Sequence, residues 1–432
     1  MSSIKSSSIS RFFKDCLSKL NFASSPASLE LKAPVTVSLE ITSHCNSFCP
    51  GCSNVFERGK PELTTSQWQA VIAGLAPLVE EFRITGGEPT LRDDLTEILG
   101  EIEKQQKYFH IFTNGLWDDP EKKIAQFSRF GFLASFLVSL HGPDTETHEQ
   151  FSPKKASGEF EKLLGTIKKL VGSGFAVSTN TVLTRANYQK VEEIAKLALS
   201  LGVRGMVFAR FIGEAKPETR LNTEELKTTL DTISRLKAQG YPIELGNCFP
   251  YCFYPDLAYG CMAGITFAAI SPQGEVRPCS HSPLVAGNLL SEGITPIWKS
   301  PALRKWRRKL PQNCLSCSKI TFCPGGCKAQ ADLEGCDQLI TGPVKDSTGQ
   351  LLEVNLEEDL RPVLSAAQRQ EDFGLILIKQ QQVIPLTHKG SKLIQQLDGQ
   401  LSLKQLQQKF GGSALSFIYS LYIRGMVDFK NC

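Results

Sequence analysis

No apolar run in these 432 residues is long enough to cross a bilayer. The longest, near Met262–Ile270, is less than half of the ~20 residues that a spanning helix needs, which excludes an integral membrane protein of the helical kind. The first 29 residues carry ten serines, four basic residues and one acid (Asp15), but no apolar h-region. That composition excludes a secretory signal and reads as a ragged extension, 1–33, with one short amphipathic turn at Phe12–Leu20. Repeats of fixed period and long low-complexity tracts are also missing. An excess of either charge is also missing: 48 Lys and Arg stand against 44 Asp and Glu, and the net of +4 is a weak argument for any polyanion partner. Apolar residues at 41% and charged residues at 21% exclude disorder over most of the length and leave room for two or three packed domains.

What the chain does have is cysteine. There are fourteen, three within Cys45–Cys52 and nine within Cys248–Cys336. Clustered thiols without an export signal point to a reducing compartment and to binding of a soft metal, not to a disulfide framework.

From Val35 to Phe211 short β-branched runs alternate with helical stretches. Strands are predicted at Val35–Ile41, Phe82–Thr85, Tyr108–Thr113, Phe136–Leu140, Ala176–Val182 and Gly205–Phe211. Helices are predicted at Thr64–Val79, Leu95–Lys104, Glu121–Phe130, Phe160–Val171 and Tyr188–Leu201. In the first of these, Thr64 or Thr65 is the N-cap and Trp68, Val71, Ile72 and Leu75 share a face. Such alternation implies parallel strands with right-handed crossovers, in an open doubly wound sheet or an incomplete barrel. In a barrel, chemistry gathers at the C-terminal ends of the strands.

The first strand runs into Cys45-x₃-Cys49-x₂-Cys52. Three thiolates on one loop can hold three irons of a cubane cluster and leave the fourth open. A structural zinc normally takes four protein ligands, and the nearest fourth here, His44, is awkwardly adjacent to Cys45. Further motifs fall at strand ends: Gly86-Gly87-Glu88-Pro89, Thr113-Asn114-Gly115, Ser139-Leu140-His141-Gly142, Ser178 with Asn180 and Thr181, and Arg210. Singly each reads as a turn or a solvated side chain. Together, over about residues 34–215, they resemble the radical S-adenosylmethionine (SAM) superfamily.

That resemblance implies a partial (β/α)6 TIM-type barrel over 34–240. It implies a cluster on Cys45, Cys49 and Cys52 whose open iron chelates SAM, and a 5′-deoxyadenosyl radical that takes hydrogen from a substrate. SAM contacts carried over are Gly86, Gly87, Glu88, Pro89, Thr113, Asn114, Ser139, Asn180 and Arg210. The arginine that many relatives place four residues after the histidine of the fourth-strand segment is missing, since Ser152 follows His148 at that spacing. Lys154, Lys155 or Arg210 is the candidate replacement for pairing the SAM carboxylate.

The later cysteines, Cys261-x₁₂-Gly274-x₄-Cys279, then Cys314-x₂-Cys317-x₅-Cys323-x₃-Cys327 and Cys336, resemble the SPASM extension of radical SAM peptide maturases, over 241–340. The resemblance implies two auxiliary [4Fe–4S] clusters, one on Cys314, Cys317, Cys323 and Cys336, the other on Cys261, Cys279, Cys327 and an upstream ligand. The family's usual upstream position falls at Pro255, which leaves Cys252 as the closer replacement, Cys248 as the alternative, or an open site. A zinc ribbon on Cys314–Cys327 is the competing reading. Ser280 stands where sulfatase-maturing members carry an acid, with His281 a possible base; the catalytic acid or base is otherwise unassigned.

Residues 341–361 read as a linker, and 362–432 as a small winged-helix-like α+β domain. Strands Phe373–Ile378 and Val383–Leu386 precede helices starting near Thr387, Ser402 and Ser413. The candidate recognition helix, Ser413–Ile423, lacks the Arg, Asn and Gln set that reads bases. The segment resembles instead the RiPP recognition element, the peptide chaperone of pyrroloquinoline quinone biosynthesis, where a precursor leader adds as a strand. That places leader-binding residues at Val383, Ile384 and Leu386, with Pro385 removing one donor.

The whole resembles a cytoplasmic radical SAM/SPASM maturase. It would modify a ribosomally synthesised precursor peptide, served by an electron donor such as flavodoxin or ferredoxin, with no nucleic-acid or membrane partner. Oxidative cross-linking, thioether or carbon–carbon, is favoured because two auxiliary clusters suit a two-electron oxidation. Backbone excision or epimerisation, and haem or small-molecule tailoring, are the alternatives. An iron–sulfur regulator whose winged helix binds DNA is the non-enzyme reading.

Overall fold

The computed structural model describes residues 30–56, 59–151, 158–213, 218–257, 260–320, 323, 325–330, 337–345, 357–379 and 382–430. These divide into two compact units, one from Ala33 to Val344 and one formed by the residues up to Lys32 together with Lys345 onward. Among the described residues no helix is long and apolar enough to cross a membrane.

The larger unit is built on β1 (Thr36–Glu40), α1 (Thr65–Leu75), β2 (Glu81–Thr85), α2 (Leu95–Lys104), β3 (Tyr108–Thr113), α3 (Pro120–Phe127), β4 (Leu133–Ser139), α4 (Thr145–Glu149), α5 (Glu159–Gly172), β5 (Val177–Leu183), α6 (Val191–Ser200), β6 (Gly205–Arg210), α7 (Thr223–Ala238) and β7 (Ile243–Leu245). Local chemistry sets the helix starts. Thr64 and Gln67 form a reciprocal capping box at α1, and Asn222 with Glu225 does the same at α7. On α1 the buried face is Trp68, Val71, Ile72 and Leu75, the set that the helical period selects.

β1 to β7 pair in sequential order, all parallel. A doubly wound sheet would reverse its order, and a complete barrel would pair its last strand with its first. Here neither happens, so the fold is a partial TIM-type barrel. Its other flank carries β8 (Phe267–Ile270), β9 (Glu275–Arg277) and β10 (Gly287–Asn288). β8 adds parallel to β1, Thr36 opposite Phe267, and completes a ten-stranded sheet. The cysteine-rich segment therefore begins as an extension of the barrel's own sheet. Helices α8 (Ile294–Trp298) and α9 (Pro301–Arg308) follow, α9 burying Leu303, Trp306 and Arg307.

The smaller unit holds β11 (Arg361–Leu364), β12 (Ala367–Glu371), β13 (Gly374–Lys379), β14 (Gln382–Thr387), α10 (His388–Ile394), α11 (Leu403–Phe410), α12 (Ser413–Tyr422) and β15 (Val427–Lys430). Both strands and all three helices read from the sequence here are present, and β11, β12 and β15 join them. β12, β13 and β14 form an antiparallel sheet with β14 at one edge, while β11 pairs with β15. Ser402 caps α11 with Gln405 in a further capping box.

Candidate active site at the strand ends

Because β1–β7 are parallel, the segments following them emerge on one side of the sheet. The loop after β1 carries Cys45, Cys49 and Cys52, none of them in a disulfide. Burial pushes the Cys49 thiol up to about 12, and the neighbouring Cys52 and Cys45 add to the rise. Three sulfurs that oppose one another's ionisation are a site that a cationic iron cluster would convert to thiolates. The amide of Ser47 already donates to Cys45 Sγ at 3.3 Å.

Neighbouring strand ends hold this loop. Gly87 N–H donates to Thr42 O and Glu88 N–H to His44 O, each at 2.7 Å. A Cβ on Gly87 would stand 2.0 Å from the His44 carbonyl oxygen, so only glycine lets the two backbones approach this closely. Pro89 is buried at the start of the short turn Pro89–Leu91. Glu88 lies beneath, 1% exposed. Its carboxylate accepts from the Thr90 amide and hydroxyl, from Thr113 Oγ1 and from the Asn114 amide. Burial raises its pKa, and these donors act against that rise. Asn114 Nδ2 then donates to Asn46 Oδ1 at 2.6 Å, inside the cysteine loop. Arg92 and Glu62, which the sequence reading passed over, brace the loop's entry. Arg92 donates to the Ile41 and Leu63 carbonyls, and Glu62 accepts from the amide and hydroxyl of Ser43. Their signal, one arginine and one glutamate near a turn, is too common to notice in a sequence.

Further round, Ser139 and Asn180 are register partners across β4 and β5. His141 Nδ1 accepts from the Val182 amide, and His148 Nδ1 accepts from the His141 amide. Burial depresses both imidazoles, His148 to about 4, so each is held neutral.

Arg210 departs from its expected role. Both terminal nitrogens bind the Asp337 carboxylate, at 3.1 and 2.5 Å, with Arg210 7% and Asp337 1% exposed. Engaged in this way, the guanidinium is a tie between β6 and the cysteine-rich segment, not a free partner for a carboxylate. A second buried tie joins Arg277, beside Cys279, to Glu40 at the end of β1. Lys154 and Lys155 lie outside the described residues.

The later cysteines fall into two groups. Cys248 packs with Cys327 and Cys261 in one buried cluster, its thiol within hydrogen-bonding reach of both, and Cys279 lies within their electrostatic reach. Cys252, the closer candidate in the sequence, is not there. Its sulfur accepts from the Thr341 amide at 3.4 Å, and the residue before it, Tyr251, donates its amide to Cys323 Sγ. The correction has a simple cause. Cys248 directly follows Asn247, which is clamped to both the amide and the carbonyl of Arg210 and so points the next side chain inward. Near this group Lys328 is buried, its Nζ donating to the Trp306 and Arg307 carbonyls, and burial lowers it to about 8. Burial also takes His281 down to about 4, aided by Arg277. In the other group, Cys317 Sγ accepts from the Val344 amide and Cys323 Sγ from the Tyr251 amide, with Cys314 buried close by in sequence. Cys336 lies outside the described residues. Among the described residues no three His, Cys, Asp or Glu side chains are placed to hold a single metal ion.

Residues 39–198 match the Radical SAM superfamily, and residues 261–318 match SPASM, an iron–sulfur cluster-binding domain. A PqqA peptide cyclase of Rhizobium meliloti (strain 1021) is 26% identical over 328 residues, 72% of this chain and 86% of that one. An AdoMet-dependent heme synthase of Methanosarcina barkeri (strain Fusaro / DSM 804) is 26% identical over 327 residues, 69% and 92% of the two chains. Among solved structures, Streptococcus suis SuiB bound to S-adenosylmethionine superposes with a TM-score of 0.62 at 18% identity, covering 76% of this chain and 81% of that one. The protein anSMEcpe with bound AdoMet gives 0.55 at 16% identity, with 71% and 91% covered. These structures share the fold. The chain thus carries a radical SAM domain and a SPASM domain and is an enzyme; SAM and [4Fe–4S] clusters are its cofactors.

Proposed function

We propose that this enzyme modifies a ribosomally synthesised precursor peptide, by oxidative cross-linking through a thioether or a carbon–carbon bond. SAM and a reduced cluster, when bound, would supply hydrogen-abstraction chemistry. Cys45, Cys49 and Cys52 hold that cluster, and Gly86–Pro89, Thr113, Asn114, Ser139 and Asn180 form the SAM side of the pocket. Cys248, Cys261, Cys279 and Cys327 hold one auxiliary cluster. Cys314, Cys317 and Cys323 belong to the other, to which Cys336 is carried over by resemblance. A flavodoxin or ferredoxin in the cytoplasm is the electron source.

The observation that carries a peptide substrate is β14. It is an edge strand, and among the described residues no further strand pairs with its outer side, which leaves that side to an added strand. Ile384 and Leu386 are each 4% exposed, so they support the edge from within while the backbone and the partly exposed Val383 meet the leader. Pro385 is tolerated at an edge. The names of two similar proteins agree: one is a PqqA peptide cyclase, and SuiB was solved with a precursor peptide, SuiA. The similar heme synthase supports a second reading, haem tailoring.

Co-expression with a precursor peptide and mass spectrometry of the product tests this. A cross-link removes two hydrogens, epimerisation leaves the mass unchanged, and excision removes a large fragment. An unmodified peptide alongside turnover of a tetrapyrrole would establish the haem reading in its place.

A further inference from the structure

Charge is nearly balanced over the whole chain, yet no Asp or Glu falls between Gly293 and Ala331. The same stretch holds eight lysines and arginines, together with Cys314, Cys317, Cys323 and Cys327. A local excess of one sign, on the segment that carries auxiliary ligands, has a place in the fold.

Its densest part is α9. Leu303, Trp306 and Arg307 are buried on one face of that helix, while Arg304, Lys305 and Arg308 are exposed on the other. Arg304 and Arg308 stand one turn apart with Lys305 beside them, so three cations share one surface. Among the described residues Lys305, Arg308 and the following Lys309 have no ion-pair partner. Like charges at this spacing weaken a helix slightly, so the cluster does not serve folding. Nor do the helix's last carbonyls require it, because the buried Lys328 already donates to those of Trp306 and Arg307, at 3.1 and 2.9 Å.

The buried face of α9 is bonded to both cysteine groups. Trp306 Nε1 donates to the Ala263 carbonyl at 3.0 Å and Arg307 Nε to the Gly264 carbonyl at 2.5 Å, just after Cys261. Lys328 adjoins Cys327. Beyond the helix, Leu310 and Pro311 pack on Gly325, where an added Cβ would stand 2.8 Å from Pro311 Cδ, and the Pro311 carbonyl accepts the Cys314 amide at 2.9 Å. The second group then comes to the surface: Leu315, between Cys314 and Cys317, is 53% exposed. One helix thus grips the ligand-bearing loops on its inner side and is cationic on its outer side.

We propose that the outer face of α9 docks the electron donor, a small acidic one-electron carrier such as a flavodoxin or ferredoxin. The second auxiliary cluster, on Cys314, Cys317 and Cys323, receives its electron. The reduced carrier loses one electron and the cluster gains it, with no bond made or broken. The proposal rests on the reading that this cluster is present. Transient redox encounters use small interfaces steered by opposite charge, which suits three cations on a short helix. A precursor peptide must instead be brought to SAM at the strand ends, whereas an electron needs only a cluster near the surface.

The test follows reduction of the full-length, iron-loaded protein by purified flavodoxin hydroquinone in stopped-flow absorbance. Wild type is compared with Arg304→Glu/Lys305→Glu/Arg308→Glu and with Lys104→Glu/Lys122→Glu/Lys168→Glu, the same charge change at exposed positions of α2, α3 and α5. The bimolecular rate constant of the α9 variant should lie at least about tenfold below the other two at about 0.1 M salt. The gap should close by about 1 M, as the Debye length falls from about 10 Å to about 3 Å. Reduction by dithionite, which needs no docking, should be equal in all three. Arg304→Gln/Lys305→Gln/Arg308→Gln guards against misfolding and should fall between wild type and the Glu variant. Flavodoxin reduction of the α9 variant equal to the control, or wild-type reduction indifferent to salt, would overturn the proposal. So would loss of labelled RNA or of acidic precursor peptide from the α9 variant with flavodoxin reduction unchanged, which would give the patch to that partner. A wild type that binds only about four irons would remove the receiving cluster itself, a separate failure.

Discussion

The buried pair between Arg210 and Asp337 offers a sharp test of how the barrel and the cysteine-rich segment are joined. The Asp337 carboxylate accepts four N–H groups: two from Arg210, one from the Cys327 amide at 2.7 Å and one from the Leu339 amide at 3.1 Å. Asp337→Leu strands a buried guanidinium charge, costing about 3–5 kcal/mol, and orphans two amides at about 1 kcal/mol each. Arg210→Met removes the charge partner but leaves the carboxylate two amide donors, a smaller loss of about 2–3 kcal/mol. The double variant strands no charge, so it should be more stable than Asp337→Leu alone. With roughly 2 °C per kcal/mol, melting of matched iron-loaded samples should fall by roughly 10 °C for Asp337→Leu and roughly 5 °C for Arg210→Met. The double variant, left with only two orphaned amides at about 1 kcal/mol each, should fall by no more than Arg210→Met alone. Equal losses from the two single changes, adding in the double, would show that the charges do not couple and refute the reasoning.

Other expectations follow from the same geometry. Gly87→Ala drives a methyl into the His44 carbonyl, so the N-terminal cluster should be lost: about four irons fewer, and no SAM cleavage. Changing Cys45, Cys49 and Cys52 together to Ala should give the same two readings; surviving SAM cleavage would mean that the cluster lies elsewhere. His148 takes up its proton near 6.5 when unfolded and near 4 when folded. Between those values the unfolded state holds more protons, so stability falls as pH drops through this window, by up to about 3 kcal/mol. His148→Asn should flatten that slope in thermal melts from pH 7 to pH 4.5, and an unchanged slope would move the effect to another group. Deleting residues 357–432 should raise KM for full-length precursor and leave uncoupled SAM cleavage alone, because uniform binding is lost. Unchanged leader affinity in fluorescence polarisation would exclude a leader-binding role.

Much of the fold was legible because its causes are local. The helical period of Trp68, Val71, Ile72 and Leu75, the cap at Thr64 and the β-branched runs act over a few residues, and α2 and β3 appear with the bounds read from the sequence. The spacing Cys45-x₃-Cys49-x₂-Cys52 is local too, since one loop carries all three thiols. Tertiary structure decided the rest. Whether Cys248 or Cys252 meets Cys261 depends on Asn247 clamping the backbone of Arg210, 37 residues away. Whether Arg210 faces a ligand or Asp337 depends on a contact across 127 residues. The addition of β8 to β1 pairs Thr36 with Phe267, which neither segment's own pattern encodes. A residue's type and period describe what it can do within its own turn or strand. Its partner is chosen when the sheet closes distances that the chain alone leaves open.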